Sequence, residues 1–288
     1  MRPIDETTVL ITGATDGLGR SVAADLAGRG ARVLVHGRRP EGAERALEHI
    51  RASTGNERVE AHLADFADLK EVRSLAERVD REESALHVLV NNAGIGSGLP
   101  EGRERQESRD GYELRFAVNY LAGFLLTDRL LPLLRRSAPA RIVNVASLGQ
   151  HPIDFDDPML TRGYNGVRAY GQSKLAQIMH AIELSRRLPA EEVTANSLHP
   201  GTFMPTKMVL EEGVTPVDTL ETGTAAVVRL AVDPELERVS GRFFDREREA
   251  AADPQAYDDE ARSRLWALSE RLVAAAAGPA SEATRRGV

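Results

Sequence analysis

The chain contains no cysteine among its 288 residues, and this absence excludes several kinds of chemistry at once. It can form no disulfide, offers no thiolate nucleophile and cannot hold a zinc ion through sulfur. We expect no metal in its functional site. A composition without disulfides suits the cytosol, so a cytoplasmic location is predicted.

Long apolar runs and basic clusters are also scarce. The most apolar tract, Leu121 to Leu134, is interrupted by Asp128 and Arg129. It falls well short of the roughly 20 apolar residues that span a bilayer, so no membrane span is predicted. The polar residues at the start leave no room for the apolar stretch of a signal peptide. The formal net charge of −7 opposes a nucleic-acid partner, because a phosphate backbone is held mainly by clustered Lys and Arg.

What the chain has instead is a regular alternation of short β-rich runs and longer helical patterns. This βαβ rhythm predicts an α/β fold of Rossmann type, with one domain over residues 1–288 and a doubly wound, mostly parallel sheet of seven strands. The predicted strands are 8–11, 32–35, 59–63, 86–90, 141–145, 194–198 and 241–244. The predicted helices lie near 17–29, 40–53, 68–82, 111–136, 167–188, 222–233 and 258–275.

A glycine-rich turn follows the first predicted strand. The run Thr12-Gly13-Ala14-Thr15-Asp16-Gly17-Leu18-Gly19 places glycines where a backbone must bend and approach a pyrophosphate at a helix N-terminus. The alternative is that the run only connects a strand tightly to a helix, because glycine is common in loops. Strand, turn and helix occur in the order that dinucleotide binding requires, so we favour a dinucleotide cofactor.

The end of the second strand bears on which dinucleotide binds. An NAD enzyme commonly offers a carboxylate there to the ribose 2′-hydroxyl, but Gly37 has no side chain. Arg38 and Arg39 follow at once, and a guanidinium matches a 2′-phosphate in charge and fork geometry. Asp16 argues the other way, since many NADP enzymes carry a basic residue in the glycine turn. The sequence therefore predicts NADP(H), with NAD(H) left open.

A tyrosine and a lysine stand one helical turn apart in the helix predicted near 167–188. An ammonium at Lys174 would stabilise the phenolate of Tyr170 and bring proton transfer nearer to neutral pH. Taken alone, the pair is better explained as a half-buried tyrosine beside a solvated lysine. Ser147 reverses that preference, because it stands at the carboxyl end of a strand, where ligands of such folds bind. A serine there is otherwise a common turn or cap residue.

These motifs resemble those of the short-chain dehydrogenase/reductase family, and especially its retinol-dehydrogenase-like branch, from Thr8 to about Leu272. The resemblance also rests on Asp65, Asn91-Asn92-Ala93-Gly94, Asn119 and His199-Pro200-Gly201. It implies the cofactor contacts Gly13, Thr15, Asp16, Gly17, Leu18, Gly19, Gly37, Arg38, Arg39, Asp65, Phe66, Asn92, Ala93, Gly94, Tyr170, Lys174, Pro200, Gly201 and Thr202.

The same resemblance implies four catalytic residues. Tyr170 would donate a proton to the nascent alkoxide, and Ser147 would orient the substrate oxygen. Lys174 would lower the pKa of the tyrosine and bind the nicotinamide ribose, while Asn119 would position a relay water. No chemistry is assigned to His199, which we expect to be structural.

The implied activity is interconversion of a carbonyl and an alcohol by an NADP(H)-dependent oxidoreductase. The tract at 150–157 and a substrate loop near 202–221 would wall a cleft, and the helix near 258–275 would close the domain. The expected lining is Leu148, Phe155, Tyr164, Phe203, Met204 and Met208. An apolar lining predicts a lipophilic small-molecule substrate, although these residues would equally serve to pack the loop.

Other functions and assemblies stay open at this point. A non-catalytic sensor of NADP(H) would keep the glycine turn, and a related enzyme would act on a carbon–carbon double bond or in an epimerisation. Homodimers and homotetramers are common in the family that the chain resembles.

Overall fold

Eight strands form one sheet in the computed structural model, which describes residues 2–98, 104–211 and 213–276. Seven of them run parallel and lie close to the predicted positions. They are β1 (Thr8–Ile11), β2 (Arg32–Gly37), β3 (Val59–Leu63), β4 (Val88–Asn91), β5 (Ala140–Val145), β6 (Val193–His199) and β7 (Phe243–Asp245). Their spatial order, β3-β2-β1-β4-β5-β6-β7, is that of a doubly wound sheet. The predicted α/β domain is confirmed, and the rest of the range 1–288 lies outside the described residues.

An eighth strand, β8 (Arg248–Ala250), extends the sheet at its far edge, so the prediction of seven strands was wrong. It pairs antiparallel with β7 across a turn in which Arg246 has a left-handed φ of 54°. Arg248 and Glu249 are charged and exposed. A strand of three residues, of which only Ala250 is apolar and partly buried, carries no periodic signal that a sequence pattern could reveal.

Helices cover both faces of the sheet and bury them. Leu10 and Leu89 point into one apolar cluster, while their neighbours Val9 and Val90 point into a second cluster on the opposite face. This burial on both sides is the usual state of a parallel sheet. The helices are α1 (Gly17–Gly28), α2 (Pro40–Thr54), α3 (Leu69–Glu82), α4 (Ala122–Arg136), α5 (Gly166–Arg187), α6 (Lys207–Glu211), α7 (Leu220–Val232) and α8 (Asp259–Ala275).

The helix predicted near 111–136 differs from a regular α-helix. A π-helical segment, Phe116–Leu121, leads directly into α4 and contains Asn119. Such segments are rare and frequently occur at functional sites. By length and composition the stretch Phe116–Arg136 could cross a membrane, but 72% of its apolar window is buried inside the fold. It packs there against α3 and α5, as the core helix of an α/β domain does.

The carboxyl ends of the central strands meet at one edge of the sheet. Thr12 follows β1, Asn92 follows β4, Ser147 lies just beyond β5 and Pro200 follows β6. The strand order reverses between β1 and β4, which is the switch point at which ligands of doubly wound sheets bind. The fold therefore brings the motifs of the sequence to one place.

Candidate active site

The glycine turn lets the backbone come very close to its neighbour strand. Gly13 has a φ of +64°, and a Cβ built on it would lie 2.8 Å from the Cα of Ala93. A Cβ on Gly19 would lie 2.4 Å from the carbonyl oxygen of Gly13. Asp16 caps α1, its Oδ1 accepting a hydrogen bond of 2.8 Å from the amide of Gly17. The turn thus presents the N-terminus of α1 at the switch point, in the form that a pyrophosphate needs.

Hydrogen bonds fix the turn to the end of β4. The hydroxyl of Thr12 accepts from the amides of Asn92 and Ala93, each at 2.9 Å. The side-chain amide of Asn92 donates to the carbonyls of Thr12 at 2.8 Å and Gly13 at 3.1 Å. Asn92 was predicted as a cofactor contact, and the structure places its side chain under the turn, where it holds the backbone in shape.

His36, at the end of β2, is a further part of this site that the sequence did not reveal. Its Nδ1 accepts from the amide of Gly13 at 3.1 Å, so Nε2 carries the hydrogen and donates to the carbonyl of Ala64 at 3.0 Å. The ring stacks on Phe66 with 4.2 Å between centroids. Burial lowers the pKa of His36 to about 4, so the ring is neutral at physiological pH. A histidine inside an apolar strand gives no sequence signal for this role.

The end of β2 is also where a 2′-phosphate would lie. A Cβ on Gly37 would approach Cγ2 of Thr15 to 2.3 Å, so a side chain at position 37 would require Thr15 to move. Arg38 and Arg39 are exposed. Within the described ranges neither guanidinium has an ion-pair partner, and both are available to an anion.

Asp65 and Phe66 follow β3 at the same edge of the sheet. The Oδ1 of Asp65 accepts from the amide of Ala67 at 3.0 Å, and its own amide donates to Oε2 of Glu71 at 2.7 Å. Phe66 is buried against His36. The loop after β3 is therefore rigid, and it lies beside the glycine turn.

Tyr170 and Lys174 lie on the first turns of α5, which begins at Gly166 after the capping residue Asn165. The Nζ of Lys174 is 5.6 Å from the centre of the tyrosine ring. It donates to the carbonyl of Val145 at 2.9 Å and to Oε1 of Gln177 at 3.0 Å. Burial lowers the pKa of Lys174 to about 7, because desolvation disfavours the ammonium.

Ser147 lies next to Tyr170. A Cβ on Gly149 would be 3.4 Å from Oγ of Ser147 and 3.9 Å from Cε1 of Tyr170, so both side chains border the same point. The hydroxyl of Ser147 accepts from the amide of Gly149 at 3.0 Å. Its own hydrogen is therefore still available for a substrate oxygen.

Asn119 lies on the other side of Lys174. A Cβ on Gly94 would be 3.3 Å from Oδ1 of Asn119 and 3.6 Å from Nζ of Lys174. Oδ1 accepts from the amide of Ile95 at 2.8 Å, while Nδ2 donates to the carbonyl of Ile95 at 3.1 Å and to Oγ of Ser173 at 2.9 Å. The side chain is thus occupied in joining the π-helical segment to α5 and to the strand-end loop after Gly94.

The segment Pro200-Gly201-Thr202 is held firmly after β6. His199 contacts Oγ1 of Thr202 through Nε2 at 3.1 Å, and Oδ2 of Asp218 accepts from the amide of Thr202 at 2.6 Å. Asp218 is itself paired with Arg246, the turn residue between β7 and β8. The contact of His199 fits the structural role expected for it, whereas the part of Arg246 was not foreseen, because β8 was not.

The loop that follows reaches back over the glycine turn. A Cβ on Gly17 would lie 3.2 Å from Cγ2 of Thr206. The predicted cleft residues in and around this loop divide into two groups. Leu148 and Phe203 are exposed, each at 47%, whereas Met204 is buried. Tyr164 directs its hydroxyl to Glu113 and Arg115, which are buried.

A doubly wound sheet, a glycine turn at its switch point and a tyrosine–lysine pair beside a serine form the arrangement of a nicotinamide-dependent oxidoreductase. The profile described as short chain dehydrogenase matches residues 7–215. The chain belongs to this family, and it is an NAD(P)-dependent oxidoreductase.

Comparison with individual similar proteins supports this assignment. Retinol dehydrogenase 13 of Homo sapiens is 40% identical over 284 residues, which cover 92% of this chain and 84% of that protein. The resemblance to the retinol-dehydrogenase-like branch is thereby confirmed. A crystal structure of a Mycobacterium paratuberculosis protein is 30% identical, with a TM-score of 0.74 over 93% of this chain and 94% of that one. A short chain dehydrogenase from Escherichia coli CFT073, crystallised with NADPH, is 26% identical, with a TM-score of 0.68 over 84% and 97% of the two chains.

Proposed function

We propose that the protein uses NADP(H) to interconvert an aldehyde or ketone and the corresponding alcohol on a lipophilic small molecule, with Tyr170 as the acid and base. The observation that carries the proposal is the grouping of Tyr170 with Lys174 and Ser147 at the edge of the sheet where the glycine turn opens. The close approach of Gly13 to Ala93 brings the backbone of the turn and the N-terminus of α1 to this edge, where a pyrophosphate would bind.

Each residue has a distinct part in this proposal. Bound NADPH supplies the hydride for the carbonyl carbon. Ser147 donates its hydroxyl hydrogen to the substrate oxygen, and Tyr170 protonates that oxygen during reduction. Lys174 places positive charge beside the tyrosine and favours loss of its proton. The reverse direction uses the same groups, with Tyr170 accepting the proton of the alcohol.

Support for a lipophilic substrate comes from the mouth of the site and from the relatives. Leu148 and Phe203 are large apolar side chains that remain half exposed there. The loop from Phe203 to Val217 is closed at its base, where the amide of Asp218 donates to the carbonyl of Thr202 at 2.9 Å. We infer that this part of the predicted loop near 202–221 covers the substrate. Relatives that bear the name retinol dehydrogenase fit an apolar substrate of this kind.

A screen of cofactors and substrates tests the function directly. Purified protein is mixed with NADPH or NADH and with all-trans-retinal, decanal, a cyclic ketone or an α,β-unsaturated ketone, and the products are analysed. We expect NADPH consumption with formation of an alcohol. Binding of NADPH without turnover of any substrate would favour a sensor, and a saturated ketone as product would move the reaction to the carbon–carbon double bond.

We also propose a cytoplasmic location. The helix that could cross a membrane by composition is buried in the domain core, which supports the predicted cytoplasmic location. Fractionation of expressing cells tests this: we expect the protein in the supernatant after high-speed centrifugation, and recovery in the membrane pellet would contradict it.

The preference for NADP(H) should depend on Arg38. Replacing it in Arg38→Ala removes a charge-assisted contact to the 2′-phosphate, so we expect the KM for NADPH to rise about tenfold or more while the KM for NADH stays unchanged. The matched control is Arg45→Ala, because Arg45 is an exposed arginine on α2. An Arg38→Ala variant that keeps the wild-type ratio of the two KM values would contradict the assignment.

Thr15 should decide whether the cofactor preference of the enzyme can be changed from NADPH to NADH. Gly37→Asp alone brings a side chain against Cγ2 of Thr15, so we expect it to lower the stability of the fold by roughly 1–3 kcal/mol. Thr15→Ser removes that methyl group, so the double variant should recover stability and prefer NADH. Thermal unfolding and kcat/KM with both cofactors measure the two effects. Full stability of Gly37→Asp by itself would show that Thr15 yields easily and that the argument fails.

A further inference from the structure

Three polar side chains form a cluster near the start of the π-helical segment, outside the catalytic group. Glu113 and Arg115 are almost fully buried, with exposures of 1% and 4%. The guanidinium of Arg115 donates through Nη1 to the hydroxyl of Tyr164 at 2.7 Å, and that hydroxyl donates to Oε1 of Glu113 at 3.0 Å. Nη1 of Arg115 also lies 3.6 Å from the same carboxylate oxygen. We call these residues the Glu113–Arg115–Tyr164 cluster.

The cluster joins three segments that border the site. Arg115 donates through Nε to the carbonyl of Gly96 and through Nη2 to that of Ser97, both at 2.8 Å. These carbonyls belong to the loop that continues from Gly94. Glu113 accepts from the amide of Phe116, the first residue of the π-helical segment, at 2.7 Å. Tyr164 lies on the loop that enters α5, so it adds the helix of Tyr170 to the same set of contacts.

Buried charges are tolerated only where their hydrogen bonds are satisfied. In this cluster the hydrogen bonds of each charged residue are satisfied by several partners together. A fully connected buried network is rigid, so the relative position of the three segments is fixed. The loop after Gly94 borders Lys174 and Asn119, and α5 carries Tyr170. The distance from the tyrosine to the groove therefore depends on contacts that involve neither the tyrosine nor its lysine.

We propose that the Glu113–Arg115–Tyr164 cluster positions Tyr170 against the cofactor groove and so sets the rate of proton transfer without touching the reacting atoms. The proposal rests on the proposed function, since it concerns the same tyrosine. Tyr164 is a positioning residue in this role, and its hydroxyl is the part that links α5 to the buried ion pair.

The variant Tyr164→Phe tests the cluster with little risk to the fold. Glu113 and Arg115 keep each other as partners, as well as the contacts to Gly96, Ser97 and Phe116. Because a misplacement of about 1 Å at a reacting group can cost up to about 100-fold in rate, we expect kcat to fall about tenfold. The dissociation constant of NADPH should stay close to that of the wild type, whereas the melting temperature should fall by a few degrees, because Arg115 and Glu113 each lose a buried hydrogen bond.

Tyr112→Phe is the matched control. Tyr112 adjoins Glu113 and is also half-buried, but its hydroxyl donates to the carbonyl of Leu272 at the end of α8. Its kcat should equal that of the wild type. In a second variant, Arg115→Lys, charge is kept but the fork of contacts to Gly96 and Ser97 is lost, so kcat should fall as well. The double variant that combines Arg115→Lys with Tyr164→Phe should be no slower than the slower of the two single variants, because both substitutions disrupt the same cluster.

The outcomes separate this proposal from the proposed function. If the wild type reduces carbonyls and Tyr164→Phe is equally fast, the positioning role is wrong and the function stands. A loss of kcat that disappears when the assay is run well below the melting temperature of the variant, or one that Tyr112→Phe shares, also overturns the role in favour of a general effect on stability. If the wild type turns over no carbonyl substrate, the proposed function itself fails.

Discussion

Tyr170→Phe is expected to lower kcat for carbonyl reduction by about 10²- to 10⁴-fold, the range that a positioned acid or base contributes. The ring stays in place, so its packing on α5 and its distance of 5.6 Å to Nζ of Lys174 are kept. Only the hydroxyl that would protonate the substrate oxygen is removed. Because the pyrophosphate end of the groove is built from the glycine turn, the dissociation constant of NADPH should change little. Steady-state kinetics and fluorescence titration with NADPH measure the two quantities.

An exposed tyrosine provides the control for this experiment. Tyr257 is 51% exposed, and its hydroxyl accepts a single hydrogen bond of 2.9 Å from the amide of Ala252. Tyr257→Phe should retain the wild-type rate. A Tyr170→Phe variant with unaltered turnover would end the assignment of the acid, even though the family and the fold would stand.

Much of the fold was predictable because its signals are local and periodic. The strands β1 to β7 are short apolar runs between amphipathic helices. A sequence pattern reveals such runs wherever both faces of a sheet are buried. The strand β8 is not of this kind. It pairs with β7 through the turn at Arg246, and two of its three residues, Arg248 and Glu249, are exposed. A contact made by backbone pairing alone leaves no pattern in the side chains.

The site could be predicted where several motifs occur together in the order that the fold requires, although each residue taken alone has other common uses. The glycine turn, Ser147, Tyr170 and Lys174 fall into this group, and the fold brings all of them to one edge of the sheet. Their roles remain predictions. His36 could not be found in this way, because its function depends on the amide of Gly13 and the carbonyl of Ala64, which lie far away along the chain.

Gly37 shows that the structure can add a physical reason to a prediction that is still to be tested. The sequence shows the absence of a carboxylate for the ribose, followed by two arginines that match a 2′-phosphate. The structure adds Thr15, whose methyl group occupies the space that a side chain at 37 would need. A side chain at position 37 would therefore affect local packing as well as the proposed cofactor site.

Lys174→Met should change both the rate and the pH dependence of stability. Without the amine, Tyr170 loses the positive charge that favours its ionised form, so kcat at neutral pH should fall about 100-fold or more. Burial lowers the pKa of Lys174 from 10.5 to about 7. Between these values the unfolded chain holds a proton that the folded chain has released, so the free energy of unfolding of the wild type gains a contribution that rises with pH.

That contribution is absent from Lys174→Met. We therefore expect the wild type to gain a few kcal/mol of stability relative to the variant between pH 7 and about pH 10. Below pH 7 the difference should be constant, because the amine is protonated in both states. Urea unfolding at several pH values measures it, and Lys70→Met is the control, since Lys70 is exposed. Equal pH dependence in the wild type and in Lys174→Met would mean that the ammonium is not desolvated. In that case burial would not lower the pKa of Lys174 toward neutral pH.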